Sequence, residues 1–289
     1  MVNALSVDVE EYFQVSAFDG IVSREDWDGM ESRVAGSTAR LLGLLAEYGV
    51  RATFFVLGWV AKRDPALVRR IADAGHEVAC HGLNHRLVYD RSPEQFRIEV
   101  DMARRILQDA SGQPVTGHRA ASFSITRRSL WALDVLAEVG FEYDSSIFPV
   151  IHDRYGIPGA PRNLYRVELR GGASLIEAPP STLRLGPIVL PVAGGGYFRL
   201  YPRRFTRWAI GRLNRTERMP AVVYVHPWEF DPDQPRFRGV PRLRSARHYV
   251  NIGKTLDRLS FLLTSFRFDT LGSILGAAGP LPVERIERT

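Results

Sequence analysis

Apolar residues along this chain come in two alternating rhythms. Short unbroken runs suit buried strands, and longer stretches with an apolar side chain every third or fourth position suit helices lying on a core. Ala4–Val9, Ala52–Leu57 (ATFFVL) and Glu77–Cys80 are the first three strands. Between them, Ser37–Tyr48 puts its leucines on one helical face and stops at Gly49. Pro65–Ala74 carries proline in its first turn and Gly75 just beyond its last. Ser92-Pro93-Glu94-Gln95 has the form of a capping box and opens a helix to about Gln108. Val115–Arg119 is the fourth strand, Arg127–Val139 a helix closed by Gly140, and Phe141–Tyr143 begins a fifth strand. From Ser145 to Gly196 the chain is rich in glycine and proline, with strand-like pieces at Leu164–Val167 and Ser174–Ala178. Pro202–Leu213 reads as a helix, Ala221–Val225 as a strand, Asn251–Leu263 as a helix, and Arg267–Thr270 with Leu271–Gly276 as a last strand and helix.

Strands that are apolar throughout, alternating with helices, predict parallel pairing covered by helices. No Gly-x-Gly-x-x-Gly follows the first strand, which argues against a dinucleotide-binding sheet. The expected fold is therefore α/β, a distorted (β/α) barrel of about seven parallel strands. The 289 residues suit one domain of that kind. Hydrophobic residues at 45% and charged residues at 24% are ordinary for a folded domain, and no apolar run reaches the length of a membrane span. The N-terminus has neither a basic segment nor a cleavable apolar one, so a cytoplasmic location is expected.

Net charge is +6, and of the 38 basic residues all but Lys62 and Lys254 are arginine. Twelve arginines fall between Arg199 and Arg247, against Glu217, Glu229, Asp231 and Asp233. No nucleic-acid-binding motif accompanies them, so nucleic acid is not an expected partner. Pro202–Leu213 places Phe205, Trp208, Ala209 and Leu213 on one stripe beside Arg203, Arg204, Arg207 and Arg212. That is the make-up of a helix lying on an anionic membrane surface, or of a barrel helix that turns Trp208 inward.

Chemistry collects at the carboxyl ends of the predicted strands, where parallel α/β folds place their sites. Asp8 and Glu10 end the first strand, two residues apart and so on one side of an extended chain. His81 and His85 follow the third, spaced so that a helical turn would aim both at one ion. One carboxylate would complete a two-histidine site, leaving the other free as a base; taken alone, the same residues could be a solvated acidic loop and two ordinary histidines. Arg119, after the fourth strand, suits a bidentate hold on a carboxylate. His226, beside Trp228 and Glu229, suits a proton donor, or a buried histidine bonded to a carbonyl. Cys80 neighbours His81 in a strand, so their side chains diverge and the thiol reads as core; it also rules out an internal disulfide. His76, His118, His152 and His248 have no partner pattern and read as structural. Gly194-Gly195-Gly196 lacks the ending of a phosphate loop and reads as a turn that lets backbone come close to something.

Taken in order, these segments resemble the polysaccharide deacetylase family, the NodB-like carbohydrate esterases. Ser6-Val7-Asp8-Val9-Glu10 is similar to its first motif, His81-Gly82-Leu83-Asn84-His85 to its metal-binding motif, and Gly117–Phe123 to the third. Tyr143–Ser146 falls at the fourth motif and Val225-His226-Pro227 at the fifth. Asp8–Phe18, Asp144–Pro149, Gly194–Pro202 and His226–Pro232 further resemble the subgroup found in exosortase-associated exopolysaccharide loci. The resemblance implies a single catalytic domain over 1–289, with 197–289 as a family-specific part built into the barrel. It implies one divalent ion on Glu10, His81 and His85, with zinc the first expectation and nickel, cobalt or iron also suited to the donors. It implies Asp8 as base oriented by Arg119, His226 as acid, and Asp144, Trp228 and Phe123 against the sugar of an N-acetylated saccharide. Two departures stand out. The family's adjacent aspartates are here Asp8 and Glu10 with Val9 between, which leaves their division of labour open, and Ala121 replaces a usual proline. Two other classes fit the same residues, an amidohydrolase of small amides and a non-catalytic carbohydrate-binding subunit.

Overall fold

The computed structural model describes residues 1–192 and 194–286. The first half is the predicted alternation. Strand β1 (Val2–Val9) is followed by α1 (Val34–Glu47), β2 (Thr53–Val56), α2 (Gly58–Arg63), α3 (Pro65–Asp73) and β3 (Glu77–Cys80). Then come α4 (Pro93–Ser111), β4 (Gly117–His118), α5 (Trp131–Val139) and β5 (Tyr143–Asp144). The capping box forms as read: Ser92 Oγ accepts from Gln95 N at 3.2 Å, and Gln95 Oε1 accepts from Ser92 N at 3.1 Å.

The second half is less regular. It holds β6 (Tyr165–Glu168), β7 (Ser174–Glu177), the hairpin β8 (Thr182–Leu185) and β9 (Ile188–Pro191), α6 (Gly195–Leu200) and α7 (Arg203–Arg215). After these come β10 (Val222–Val225), α8 (Arg242–Tyr249), α9 (Thr255–Ser265), β11 (Arg267–Asp269), α10 (Leu271–Gly276) and β12 (Val283–Glu284). Two predicted helices start later than expected. Thr126 and Ser129 cap a separate turn before α5, and Asn251, with φ +53°, leads into a short 3-10 turn before α9.

The strands β10, β1, β2, β3, β4, β5 and β7 lie side by side in that order, each pair parallel. The sheet curls until its ends meet: Ser181 N, just past β7, donates to Val222 O at 3.2 Å, and Val222 N donates to Ser181 Oγ at 2.8 Å. This is the expected α/β barrel with seven parallel strands, distorted because one seam is closed by a loop residue. β6 departs from the parallel pattern, running antiparallel to β7. Leu5, Val7 and Val9 of β1 sit in the largest apolar cluster with residues of α1, α4 and α5, so the helices seal the outside of the sheet. The late strands β10 and β11 both pair with β1, which brings residues near 226 beside the end of the first strand.

Candidate active site

Strand direction makes the site. β1, β3, β4 and β10 all end at the same rim, and Asp8, Glu10, His81, His85, Phe123, His226 and Trp228 line one cavity there of about 320 Å³.

Glu10, His81 and His85 offer one oxygen and two ring nitrogens that all lie within 4.8 Å of one another, every side chain buried. Glu10 Oε2 is 2.7 Å from His85 Nε2 and 3.8 Å from His81 Nε2, yet it takes part in no well-formed hydrogen bond. His81 Nδ1 donates to the carbonyl of Arg119 at 2.8 Å, which leaves Nε2 facing the carboxylate. Burial holds His81 in its neutral form, lowering its pKa to about 4. Burial alone would raise Glu10, but the neighbouring imidazoles, His85 first, bring it to about 2. A buried carboxylate and two lone-pair nitrogens converging on one point fit a divalent cation such as zinc. The two histidines are not presented by a helical turn. They sit in a loop whose Gly82 and His85 take φ of +80° and +49°, and Arg24 Nη2 bonds the His85 carbonyl at 3.2 Å.

Asp8 faces a different partner. Its Oδ1 accepts from Arg119 Nη1 at 2.6 Å, and Arg119 is fully buried, its other donors taken by Ser6 Oγ, Ser145 O and Ser145 Oγ. The geometry thus sorts the two carboxylates, Glu10 beside the histidines and Asp8 beside the arginine. Asp8 Oδ2 points towards His226, whose Nε2 is 3.9 Å away and equally close, at 3.8 Å, to Glu10 Oε1.

His226 is backed by a buried acid. Its Nδ1 donates to Glu229 Oε2 at 3.1 Å, and Glu229 Oε1 accepts from the buried Arg199 Nε at 2.6 Å. Burial opposes a charge on His226, but Glu229, Glu10 and Asp8 overcome it and raise its pKa to about 9. At neutral pH it carries a proton and stands ready to give it up.

Two expectations about sugar contacts need correcting. Asp144 does not reach the cavity: it is fully buried, bonded to His118 Nδ1 at 2.8 Å and to the backbone and hydroxyl of Ser146. The cause is its neighbour on β4: His118 pairs with Asp144 in the sheet and takes up its carboxylate. Trp228 lines the cavity but offers no open face. It stacks on His226 at 4.9 Å and on His248 at 4.5 Å, and its Nε1 donates to Glu10 Oε1 at 3.2 Å. Phe123 does line the cavity, edge-on to Tyr224 at 5.0 Å. Ser122 and Phe123 both adopt left-handed backbone, φ +50° and +53°, in the loop where Ala121 stands for proline.

Cys80 is core, its thiol pushed by burial up to about 12, and His76 and His118 are structural. His152 and His248 are not merely structural, since both line the cavity. His152 stacks on Tyr155 at 3.7 Å, and nothing in its local sequence marks it. Gly194 is where backbone comes close: a side chain there would meet Tyr224 O at 1.9 Å. Arg199 was legible only as one of many arginines.

Comparison with known proteins agrees with this geometry. A family model described as polysaccharide deacetylase matches residues 27–143, and one described as a domain of unknown function (DUF3473) matches 145–276, a pairing typical of the exosortase-locus deacetylases. A chitooligosaccharide deacetylase of a Bradyrhizobium species is 36% identical over 191 residues, covering 66% of this chain and 77% of the relative. Among solved structures, a protein of Mycobacterium smegmatis assigned to the polysaccharide deacetylases shares the fold with a TM-score of 0.63 and 21% identity, covering 98% of this chain and 93% of that one. PuuE allantoinase shares it too, with a TM-score of 0.59 and 14% identity over 94% and 87% of the two chains. With a rim of site residues in the family's order and a relative this similar over most of its length, the chain belongs to the polysaccharide deacetylase family.

Proposed function

We propose that this protein hydrolyses the acetamide of N-acetylated sugar residues in a polysaccharide or lipid-linked oligosaccharide of exopolysaccharide biosynthesis. The observation that carries the reading is the convergence of three groups in one cavity: a three-donor cluster, a carboxylate held by a buried arginine, and a histidine charged by its own buried acid. Glu10, His81 and His85 would hold a divalent ion, zinc by its donor set. When bound, such an ion supplies Lewis-acid polarisation of the acetyl carbonyl and of an attacking water. Asp8, its Oδ1 fixed by Arg119, keeps Oδ2 free to take the proton of that water. His226 then donates its Nε2 proton to the departing amine, without which an amide cannot expel nitrogen, and Glu229 stabilises the imidazolium until that moment.

A saccharide chain is favoured over a small amide by the shape of the approach. The cavity shares Val15, Ser16 and His85 with an adjoining polar hollow of about 520 Å³, which offers room for further sugar units beside the cluster. A non-catalytic binding subunit would have no use for the Asp8–Arg119 and His226–Glu229 pairs. We further propose that the enzyme works in the cytoplasm and meets its substrate at the inner membrane face through α7. Among the described residues no helix is long and apolar enough to cross a membrane.

The test is metal content with turnover. Gently purified protein is expected to hold about one divalent ion per chain, Glu10→Ala and His81→Ala to lose it, and His226→Ala to keep it while acetate release falls by at least about a hundredfold. Protein that takes up no metal even after reconstitution would overturn the reading.

A further inference from the structure

Most charges lining the cavity have a partner. Asp8 is held by Arg119, Arg199 by Glu229, Arg154 by Asp19 at 2.6 Å and Asp153 by His152 at 2.9 Å. Arg244 and Arg247, both on α8, line the same cavity, and among the described residues neither has a carboxylate within ion-pair distance.

Spacing and packing explain why they border the cavity while remaining open to water. Arg244, Arg247 and His248 stand at i, i+3 and i+4, on one side of the helix. His248 is the buried side of α8: it stacks on Trp228, and its Nε2 is 2.8 Å from Gln234 Oε1. Arg199 Nη1 donates to the carbonyls of His248 and Val250, fixing the end of the helix. The two guanidiniums are therefore carried on an element docked to the same Trp228 that backs His226. Two unmatched cations in a concave wall make a local positive potential that attracts an anion. Asp8 and Glu10 repel one at the cavity floor, so the anion belongs on the wall, beside the reacting group rather than on it.

Resting on the deacetylase reading, we propose that Arg244 and Arg247 form an anion subsite for a phosphate or carboxylate carried by the saccharide next to the unit that loses its acetyl group. A guanidinium contact of this kind contributes roughly a factor of ten, weakened by salt because the wall is open to water.

Three probes separate the sources of charge: the neutral tetramer of N-acetylglucosamine, an oligomer alternating N-acetylglucosamine with glucuronate, and an N-acetylglucosamine oligomer ending in a 1-phosphate. Calorimetric binding and acetate release are measured at low and high ionic strength, for the parent and for Arg244→Gln, Arg247→Gln and the double variant. Both positions are exposed, so the folded protein tolerates glutamine there. The subsite predicts tighter binding of one anionic probe than of the neutral one by at least about tenfold. That preference is lost in the double variant and shrinks with salt, and KM carries the change while kcat does not. Preference for the uronate oligomer assigns a carboxylate within the chain; preference for the phosphate assigns a phosphorylated, carrier-type end. Equal binding of all three probes, or a preference that survives the double variant, overturns the subsite. Acetate released from the neutral tetramer without any anionic preference would leave the deacetylase reading standing alone. Anionic preference with no acetate released from any probe would do the reverse.

Discussion

At the scale of single residues, the decisive arrangement is the line from Arg199 through Glu229 to His226. Glu229 would be raised by burial, but Arg199 and then His226 hold it at about 2, so its negative charge persists and keeps His226 protonated up to about 9. A general acid works only while protonated, so turnover falls as pH rises through the pKa of His226. Replacing Glu229 by glutamine removes the charge and keeps the shape. His226 then loses its main stabilising partner, and burial pulls its pKa down. The expected outcome is a basic limb of the kcat/KM profile that moves at least about one pH unit lower in Glu229→Gln, measured alongside unchanged metal content. An unmoved limb would mean that another group donates the proton. Asp8, Glu10, His81, His85, Arg119 and His226 were all legible in the sequence as candidates because each lies at or just past the end of a strand, and strand ends share a rim in this fold. Arg199 was not, because a residue that acts from a neighbouring helix through a buried acid leaves no spacing to read. Asp144 is sealed off from the cavity, and Trp228 lines it with its ring already stacked on two histidines, because motif position reports which rim a residue is near, not which way its side chain packs.

At the scale of elements, legibility followed apolar periodicity. β1, β3, α3 and α10 lie where the pattern put them, to within a residue or two: the first three present a buried run or stripe, and α10 is capped by Thr270, whose side chain accepts from Ser273 N. α8 was invisible, for its sequence RLRSARHY buries only His248 and is held by ring stacking and by Arg199. α7 was visible but misoriented. Ala209 and Leu213 are fully buried whereas Trp208 is 44% exposed, so the apolar stripe divides into an inward face and an outward aromatic. Arg203 and Arg207 lie over the Phe261 ring at 4.8 and 5.4 Å, and Leu200 beside them is 60% exposed. An exposed tryptophan and leucine among arginines is the composition that settles at an anionic lipid surface. The protein is therefore expected to sediment with vesicles containing phosphatidylglycerol and not with neutral ones, with binding weakened by salt. Trp208→Ala and a Arg203→Gln/Arg207→Gln pair should each reduce it several-fold. Binding that ignores salt and both variants would show that α7 is an ordinary barrel helix.

At the scale of the whole molecule, the buried histidines pull stability in opposite directions with pH. His76 accepts a hydrogen bond from Ala52 N on its Nδ1, and burial, with the charge of Arg51, lowers its pKa to about 4. The unfolded chain takes up that proton near 6.5, the folded chain only near 4. Between those values the unfolded state binds more protons, so stability is full above 6.5 and falls as pH drops through the window, by up to about 1.4 kcal/mol per pH unit. His248, lowered to about 3 by burial and by Arg199, adds to the same acid limb. His226 acts the other way. Its folded pKa lies above the unfolded value, so its contribution is complete below 6.5 and is lost as pH rises through about 9. Together they predict a stability maximum near neutral pH, with an acid side to which His76 and the cavity histidines His81 and His248 all contribute and an alkaline side set by His226. The two sides can be separated. His76→Gln keeps an acceptor for Ala52 N but cannot titrate, so the melting temperature should decline less steeply between pH 6.5 and 4 while the alkaline side is unchanged. Glu229→Gln should flatten the alkaline side; it also removes the acid-side contribution of Glu229 itself, held at about 2 in the folded chain, so the part of His76 is read from His76→Gln alone. If both variants instead changed both limbs alike, stability would be governed by net charge, which an arginine-rich chain at +6 could also impose, and the individual histidines would lose their part in it.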